Sequence, residues 1–203
     1  MDWICKQCFD GLKFLHEKSV VHRDLKGGNI MIEKPSNGSK GRVVIVDLGL
    51  SCADPEVLDI QRCEIDHAGT YVYLSPEMGL PLYMGFKIPF KTEYANDVWG
   101  MGMTLFEYFG YLNPGKGMQT LFPDLEWNGT AQNIYYNLHQ IDAPLFQSGK
   151  MNATQNLFFG VENTELESKA ERYINVLGQC FNPKKSRPSA SLLKTSMDRL
   201  ESF

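Results

Sequence analysis

Val21-His22-Arg23-Asp24-Leu25-Lys26-Gly27-Gly28-Asn29 is the stretch on which the reading of this chain turns. Two short apolar runs follow it, Asn29-Ile30-Met31-Ile32 and Val43-Val44-Ile45-Val46, and the second leads directly into Asp47-Leu48-Gly49. Runs rich in Ile and Val on either side of the breaker-rich Glu33–Arg42 spell a β-hairpin with a polar tip. A loop offering Asp, Lys and Asn, then a hairpin, then an Asp-x-Gly turn gathers the groups that phosphoryl transfer needs. These are an acceptor for a hydroxyl proton, a cation for phosphate and two hard oxygen donors for magnesium.

Outward from this stretch the chain is mostly helical. Residues 2–18 put Ile4, Cys5, Cys8, Phe9, Leu12 and Leu15 on one face, the spacing of an amphipathic helix. Past an irregular segment from Ser51 to about Ala68 comes Gly69-Thr70-Tyr71-Val72-Tyr73-Leu74-Ser75-Pro76-Glu77. Asp97-Val98-Trp99-Gly100-Met101-Gly102 then opens a strongly apolar helix through Leu105, Phe106 and Phe109. Residues 111–165, rich in Asn, Gly and aromatics, are expected to hold one or two short helices, with Ala131–His139 a candidate. A helical pattern returns over Thr164–Phe181, and after Asn182-Pro183-x-x-Ser186-Arg187-Pro188-Ser189 a last helix covers Ala190–Leu200.

At 203 residues, 43% hydrophobic and 22% charged, the chain is long enough for one domain with a substantial core. A net charge of −4 suggests neither a nucleic-acid surface nor an anionic membrane as partner. Without a long uncharged apolar run or a signal-peptide pattern, the chain reads as soluble and intracellular, cytoplasmic in the simplest case. Cys5, Cys8, Cys52, Cys63 and Cys180 are odd in number and scattered, unlike a disulfide framework. Cys5-x-x-Cys8 lacks a second ligand pair at zinc spacing and reads as core thiols.

His22-Arg23-Asp24-Leu25-Lys26-x-x-Asn29 followed by Asp47-Leu48-Gly49 resembles the catalytic core of eukaryotic protein kinases of the Ser/Thr type. The Gly69–Glu77 stretch, the Asp97 helix and the Arg187 segment resemble three further signatures of that family, in the same order. The implied fold is mainly α with a small β-hairpin, a kinase-like C-terminal lobe over residues 1–203. Its parts would be a catalytic loop at 22–29, an activation segment at 47–77 and a central helix at about 97–110. A variable region at about 111–165 and final helices at about 166–200 complete it.

The resemblance also implies roles. Asp24 would be the catalytic base and Lys26 would steady the transferred phosphate, which makes Lys26 both catalytic and cofactor-binding. Asn29 and Asp47 would hold magnesium, and with Met31 they would complete the contacts to ATP. Met31 would lie under the adenine, although a core Met at this spacing reads the same way. Thr70 would hydrogen-bond near Asp24 and Lys26, and Asp97 would fix the catalytic-loop backbone. His22 would pack against Leu48, which stands where Phe is common, and Glu77 would pair with Arg187. Arg23 would face an anion of the activation segment, with Asp66 standing in for a phosphate there; a solvated loop acid is the alternative. Glu107 falls where some kinases use an acid to read basic substrates. Asn182 stands where the family usually carries Asp.

Only about 20 residues precede His22, and no Gly-x-Gly-x-x-Gly occurs. The glycine-rich loop and phosphate-binding Lys of the family's small N-terminal lobe are thus not in this sequence, and the chain by itself is expected to be inactive. Three readings follow: the large lobe of a Ser/Thr kinase acting on protein substrates with ATP and magnesium; a non-catalytic kinase-fold module that binds a partner; or a half-site completed by an N-terminal lobe or partner protein in trans.

Overall fold

Apolar residues three and four apart make α1 (Asp2–Glu17) a helix with one buried face, on which Cys5, Cys8, Phe9 and Leu12 are all fully buried. The computed structural model of the protein describes residues 2–33, 41–54, 69–110, 112–158 and 164–200. After α1 the chain turns through Ser19, whose φ of 56° is left-handed, into β1 (Val20–Val21). β2 (Ile30–Glu33) and β3 (Arg42–Ile45) form the expected antiparallel hairpin, with Ile30 opposite Ile45 and Glu33 opposite Arg42. β4 (Cys52–Ala53) returns to pair with β1, so the loop after Val21 runs from one small two-stranded sheet to the other. The residues between Glu33 and Gly41, and those from 55 to 68 that include Asp66, lie outside the described residues.

α2 (Gly79–Met84) ends on Gly85 in the left-handed region and leads to α3 (Phe90–Phe109). α3 begins seven residues before the expected start at Asp97. Its first two turns carry Lys91, Thr92, Glu93 and Asn96 rather than an apolar run, which hides them from hydropathy, yet Thr92, Glu93 and Asn96 are buried. From Val98 to Phe106 the helix carries no charge on any side, the pattern of a segment buried all round. Val98, Met101 and Leu105 face one core cluster with α1, Leu177 and Met197, whereas Trp99, Met103 and Phe106 face a second with Met118, Leu121 and Leu138. A Cβ on Gly102 would strike Cys180, so this glycine lets α3 sit directly on the turn Gln179–Phe181.

The variable region holds more helix than expected: α4 (Gly117–Leu121), α5 (Ala131–His139, as predicted) and the 16-residue α6 (Ala143–Phe158). α6 is obscured in sequence by Gly149 and two asparagines, but Asp142 Oδ1 accepts the Leu145 amide at 3.1 Å and Pro144 occupies its first turn, both start signals. α7 (Thr164–Gly178) and α8 (Ala190–Arg199) close the chain, and α8 lies along α1. Cys5, Cys8 and Cys180 are buried, and burial pushes the Cys8 and Cys180 thiols up to about 12; Cys52 is disulfide-bonded. Among the described residues no helix is long and apolar enough to cross a membrane. The architecture is mainly helical with a small β-hairpin, as the sequence implied.

Candidate active site

The stretch from Val21 to Asn29 is held by a carboxylate from the central helix α3. Asp97, 1% exposed, accepts the backbone N–H of His22 at 2.7 Å through Oδ2 and that of Arg23 at 2.8 Å through Oδ1. Arg23 has a φ of 73°, and these two bonds bracket the peptide that must adopt this left-handed turn. The His16 ring adds a third contact, Nε2 to Asp97 Oδ2 at 3.1 Å. His22 is fully buried, and both its ring nitrogens are engaged. Nδ1 accepts the Asp24 amide at 3.3 Å, so Nε2 carries the hydrogen and donates to the Val46 carbonyl at 3.0 Å. Leu48, expected to pack on this ring, stands 53% exposed. The carbonyl of the residue before Asp47 holds the ring instead.

This anchoring presents the side chain of Asp24, itself 6% exposed, to a converging set of donors. Its Oδ1 accepts the Thr70 amide at 2.9 Å and the Thr70 hydroxyl at 2.7 Å, and its Oδ2 lies 2.8 Å from Lys26 Nζ. Lys26 Nζ also donates to Thr70 Oγ1 at 2.8 Å, which closes a three-residue ring. Burial alone would raise the Asp24 carboxyl, but the Lys26 ammonium and the Thr70 hydrogen bonds outweigh it and hold the group below its ordinary value. Gly69 makes the ring possible. Its φ is 114°, and a Cβ there would come within 2.5 Å of the Arg23 carbonyl, so only glycine brings Thr70 this close.

Asn29 and Asp47 flank the open end of the hairpin, before Ile30 and after its partner Ile45. Asn29 Nδ2 donates to the Asp24 carbonyl at 2.7 Å and to Asp24 Oδ2 at 3.2 Å, which turns its Oδ1 away from Asp24. Asp47 lies two residues past Ile45, the partner of Ile30, in a left-handed turn (φ 61°), with its Oδ1 accepting the Gly49 amide at 3.2 Å. The Asp47 side chain is exposed. Among the described residues no cluster of three or more His, Cys, Asp or Glu could hold a metal by itself. The donor set fits magnesium in another manner: one amide oxygen and one exposed carboxylate leave most of a hard cation's shell to phosphate and water. Met31 is 61% exposed, so the core reading of that residue falls away.

The residues expected of an activation segment and its anchor divide. Glu77 and Arg187 form a bidentate pair, through Nη1 to Oε1 and through Nη2 to Oε2 at 3.2 Å. Arg187 also donates to the Ala95 carbonyl at 2.9 Å and the Asn182 carbonyl at 3.0 Å, and its guanidinium lies 5.0 Å over the Trp99 ring. Asp66 lies outside the described residues. Arg23, 5% exposed, meets Glu93 of α3, with Nε 3.6 Å from Oε1. Glu107 is a correction: it is 5% exposed and its two oxygens accept Tyr73 Oη at 2.6 Å and Gly117 N at 2.7 Å, so it does not face solvent to read a substrate.

Glu93, Tyr73, His16 and Trp99 escaped the sequence reading as parts of this site. Glu93 left one usable trace, an acid four positions before Asp97 on a helix that otherwise turns inward.

A mainly helical lobe that carries an Asp–Lys–Asn loop on its central helix, beside a hairpin ending in Asp-x-Gly, has the form of a kinase-like C-terminal lobe. Residues 1–195 match the family model for the protein kinase domain, and the chain belongs to the protein kinase family. It is similar to the probable serine/threonine-protein kinase mkcD of Dictyostelium discoideum, 32% identical over 107 residues that make up 52% of this chain and 14% of that protein. Mitogen-activated protein kinase kinase kinase 15 of Mus musculus is 35% identical over 102 residues, 50% of this chain and 7% of its own length. Mitogen-activated protein kinase kinase kinase 5 of Homo sapiens is 28% identical over 178 residues, 88% of this chain and 10% of its own. The chain therefore spans between 7% and 14% of the length of these relatives.

Proposed function

We propose that the chain is the large-lobe half of an enzyme that transfers the terminal phosphoryl group of ATP to Ser or Thr hydroxyls of protein substrates inside the cell. The observation that carries this reading is the Asp24–Lys26–Thr70 ring, in which a carboxylate kept ionised is aimed by two hydrogen bonds and shares its cation with a hydroxyl. Bound Mg–ATP supplies the phosphoryl group and neutralises its charge. Asp24 accepts the proton of the attacking hydroxyl and orients its oxygen. Lys26, already within reach of Asp24, offsets the negative charge of the group in transit. Asn29 and Asp47 would hold the metal, while Asp97 keeps the whole loop from relaxing. The test is phosphate transfer from labelled ATP to Ser and Thr peptides, with a kinase small lobe fused to or supplied with the chain. Transfer is expected with wild type and is expected to fall about 10²–10⁴-fold in Asp24→Asn.

A second reading is favoured by one observation. Met31, Ile32 and Leu48, next to Asn29 and Asp47, are 61%, 36% and 53% exposed, an apolar rim suited to cover by a partner protein. Label absent with every small lobe supplied would favour this non-catalytic role.

A further inference from the structure

Away from the site, one face of the lobe is apolar and uncovered. On α2, Leu80, Tyr83 and Met84 stand at i, i+3 and i+4 and share one stripe, which is exposed while Gly79 and Leu82 are buried. Tyr136 of α5 continues the stripe. Its ring lies 5.6 Å from that of Tyr83, and the Gln132 side chain donates to the Tyr83 carbonyl at 2.9 Å. Phe86 completes the row. Gly85, with a φ of 69°, turns the chain so that the Phe86 amide reaches the Pro81 carbonyl at 2.8 Å. That closure fixes the backbone, yet the Phe86 ring, which such a cap commonly tucks against the helix, stands 55% exposed. A lone exposed apolar residue needs no explanation, but five on two packed helices and their cap mark a contact surface.

The charge around this face has one sign. Residues 78–92 contain Lys87 and Lys91 and no Asp or Glu, and α5 contains no Asp, Glu, Lys or Arg. Both lysines are exposed, and among the described residues no carboxylate pairs with either. Lys184 Nζ donates to Thr92 Oγ1 at 2.6 Å, which brings the exposed Lys184 and Lys185 to the turn of α3 that carries Lys91. The acids beside these segments are already engaged, Glu77 by Arg187 and Glu93 by Arg23. We propose that this face is a docking surface for an acidic amphipathic segment of a partner protein. Its large apolar side chains cover Leu80, Tyr83, Met84, Phe86 and Tyr136, and its carboxylates meet Lys87 and Lys91. A second copy of the chain, packed face to face, would set lysines against lysines. An anionic bilayer would attract the lysines but also meet the rest of a lobe whose net charge is −4, whereas a short segment meets the patch alone. The face also borders the site, since Tyr135, next to Tyr136 on α5, packs edge-on against Tyr71, the residue after Thr70.

The experiment follows backbone amide shifts as a helix-forming peptide is added, with Leu and Phe on one face and Glu on the other. The same peptide with Lys in place of Glu is the comparison. The Glu peptide is expected to bind with a Kd of about 10⁻⁵–10⁻⁴ M and to shift Leu80–Lys87, Lys91 and Tyr136; the Lys peptide is expected not to bind. Phe86→Ser and Tyr83→Ser should each weaken binding about tenfold, and Met151→Ser, on the exposed side of α6, should leave it unchanged. Joint Lys87→Glu and Lys91→Glu should exchange the preference, so that the Lys peptide binds and the Glu peptide does not. If Tyr83→Ser does not fold, Phe86→Ser decides, because its side chain leaves no core position empty. No shifts up to about millimolar Glu peptide, equal binding of the two peptides, or binding unchanged by Phe86→Ser would each overturn the proposal. So would either of two results without peptide binding. Sedimentation with phosphatidylserine vesicles that Phe86→Ser abolishes would assign the face to a membrane, and dimerisation that Phe86→Ser abolishes would assign it to a second copy.

Discussion

Asp97 accepts the amide of Arg23 at 2.8 Å across 74 positions of sequence, and the residue it holds stands immediately before Asp24 in a left-handed turn. The bond ties the largely buried helix α3 to a left-handed peptide beside Asp24. Asp97→Asn keeps the shape but sets an NH2 against a buried N–H donor. The variant is expected to lose about 2–4 kcal/mol of stability in urea unfolding. A loss below about 0.5 kcal/mol, the scatter of an uninvolved surface site, would contradict this role.

The Glu77–Arg187 pair makes a different prediction. The Arg187 side chain is fully buried and spreads over Glu77, two carbonyls and the Trp99 face, whereas the Glu77 side chain retains 14% exposure. Arg187→Leu strands the carboxylate and is expected to cost about 3–5 kcal/mol, with part of that recovered when Glu77→Leu is added. Strict additivity of the two substitutions would mean that the pair is not coupled.

Glu93 gives a pH dependence with a definite sign. Burial raises its carboxyl to about 7; Arg23 pulls it down and Asp97 pushes it up. A carboxyl raised in the folded state binds its proton more tightly there than in the unfolded chain. Its contribution is therefore full below the ordinary value of 4.5 and is lost as pH rises to about 7, by up to roughly 3 kcal/mol. Urea unfolding of wild type should show a steeper fall in stability over that window than Glu93→Gln, which cannot ionise. Parallel curves would contradict it.

How much of this was legible beforehand follows from how local each signal is. Asp24, Lys26, Asn29 and Asp47 are spaced by a loop and a hairpin whose strands pair within a residue of the expected runs, so short-range pattern places them. Asp97, Glu77 and Arg187 were found because each sits inside a recognisable short motif. The roles that depend on what a side chain meets across the fold were less legible. Glu107 lies on an apolar helix, and nothing in its neighbours announces that Tyr73, 34 positions earlier, would take one oxygen. The start of α3 was missed for a related reason, because buried Thr92, Glu93 and Asn96 look like surface until Lys184 and Ser75 arrive to bond Thr92 and Asn96. Leu48 inverted the expectation, since an apolar residue in an Asp-x-Gly turn need not be covered by its own lobe.

The most direct test of the central claim, that Asn29 and Asp47 form a metal–nucleotide site beside the Asp24 ring, is paramagnetic broadening of backbone amides by manganese–ATP at millimolar concentration. Broadening is expected at Gly28–Ile30 and Val46–Gly49, and it should vanish in Asp47→Ala while the fold persists. Spectra without broadening at these positions, or broadening unchanged by Asp47→Ala, would contradict the assignment.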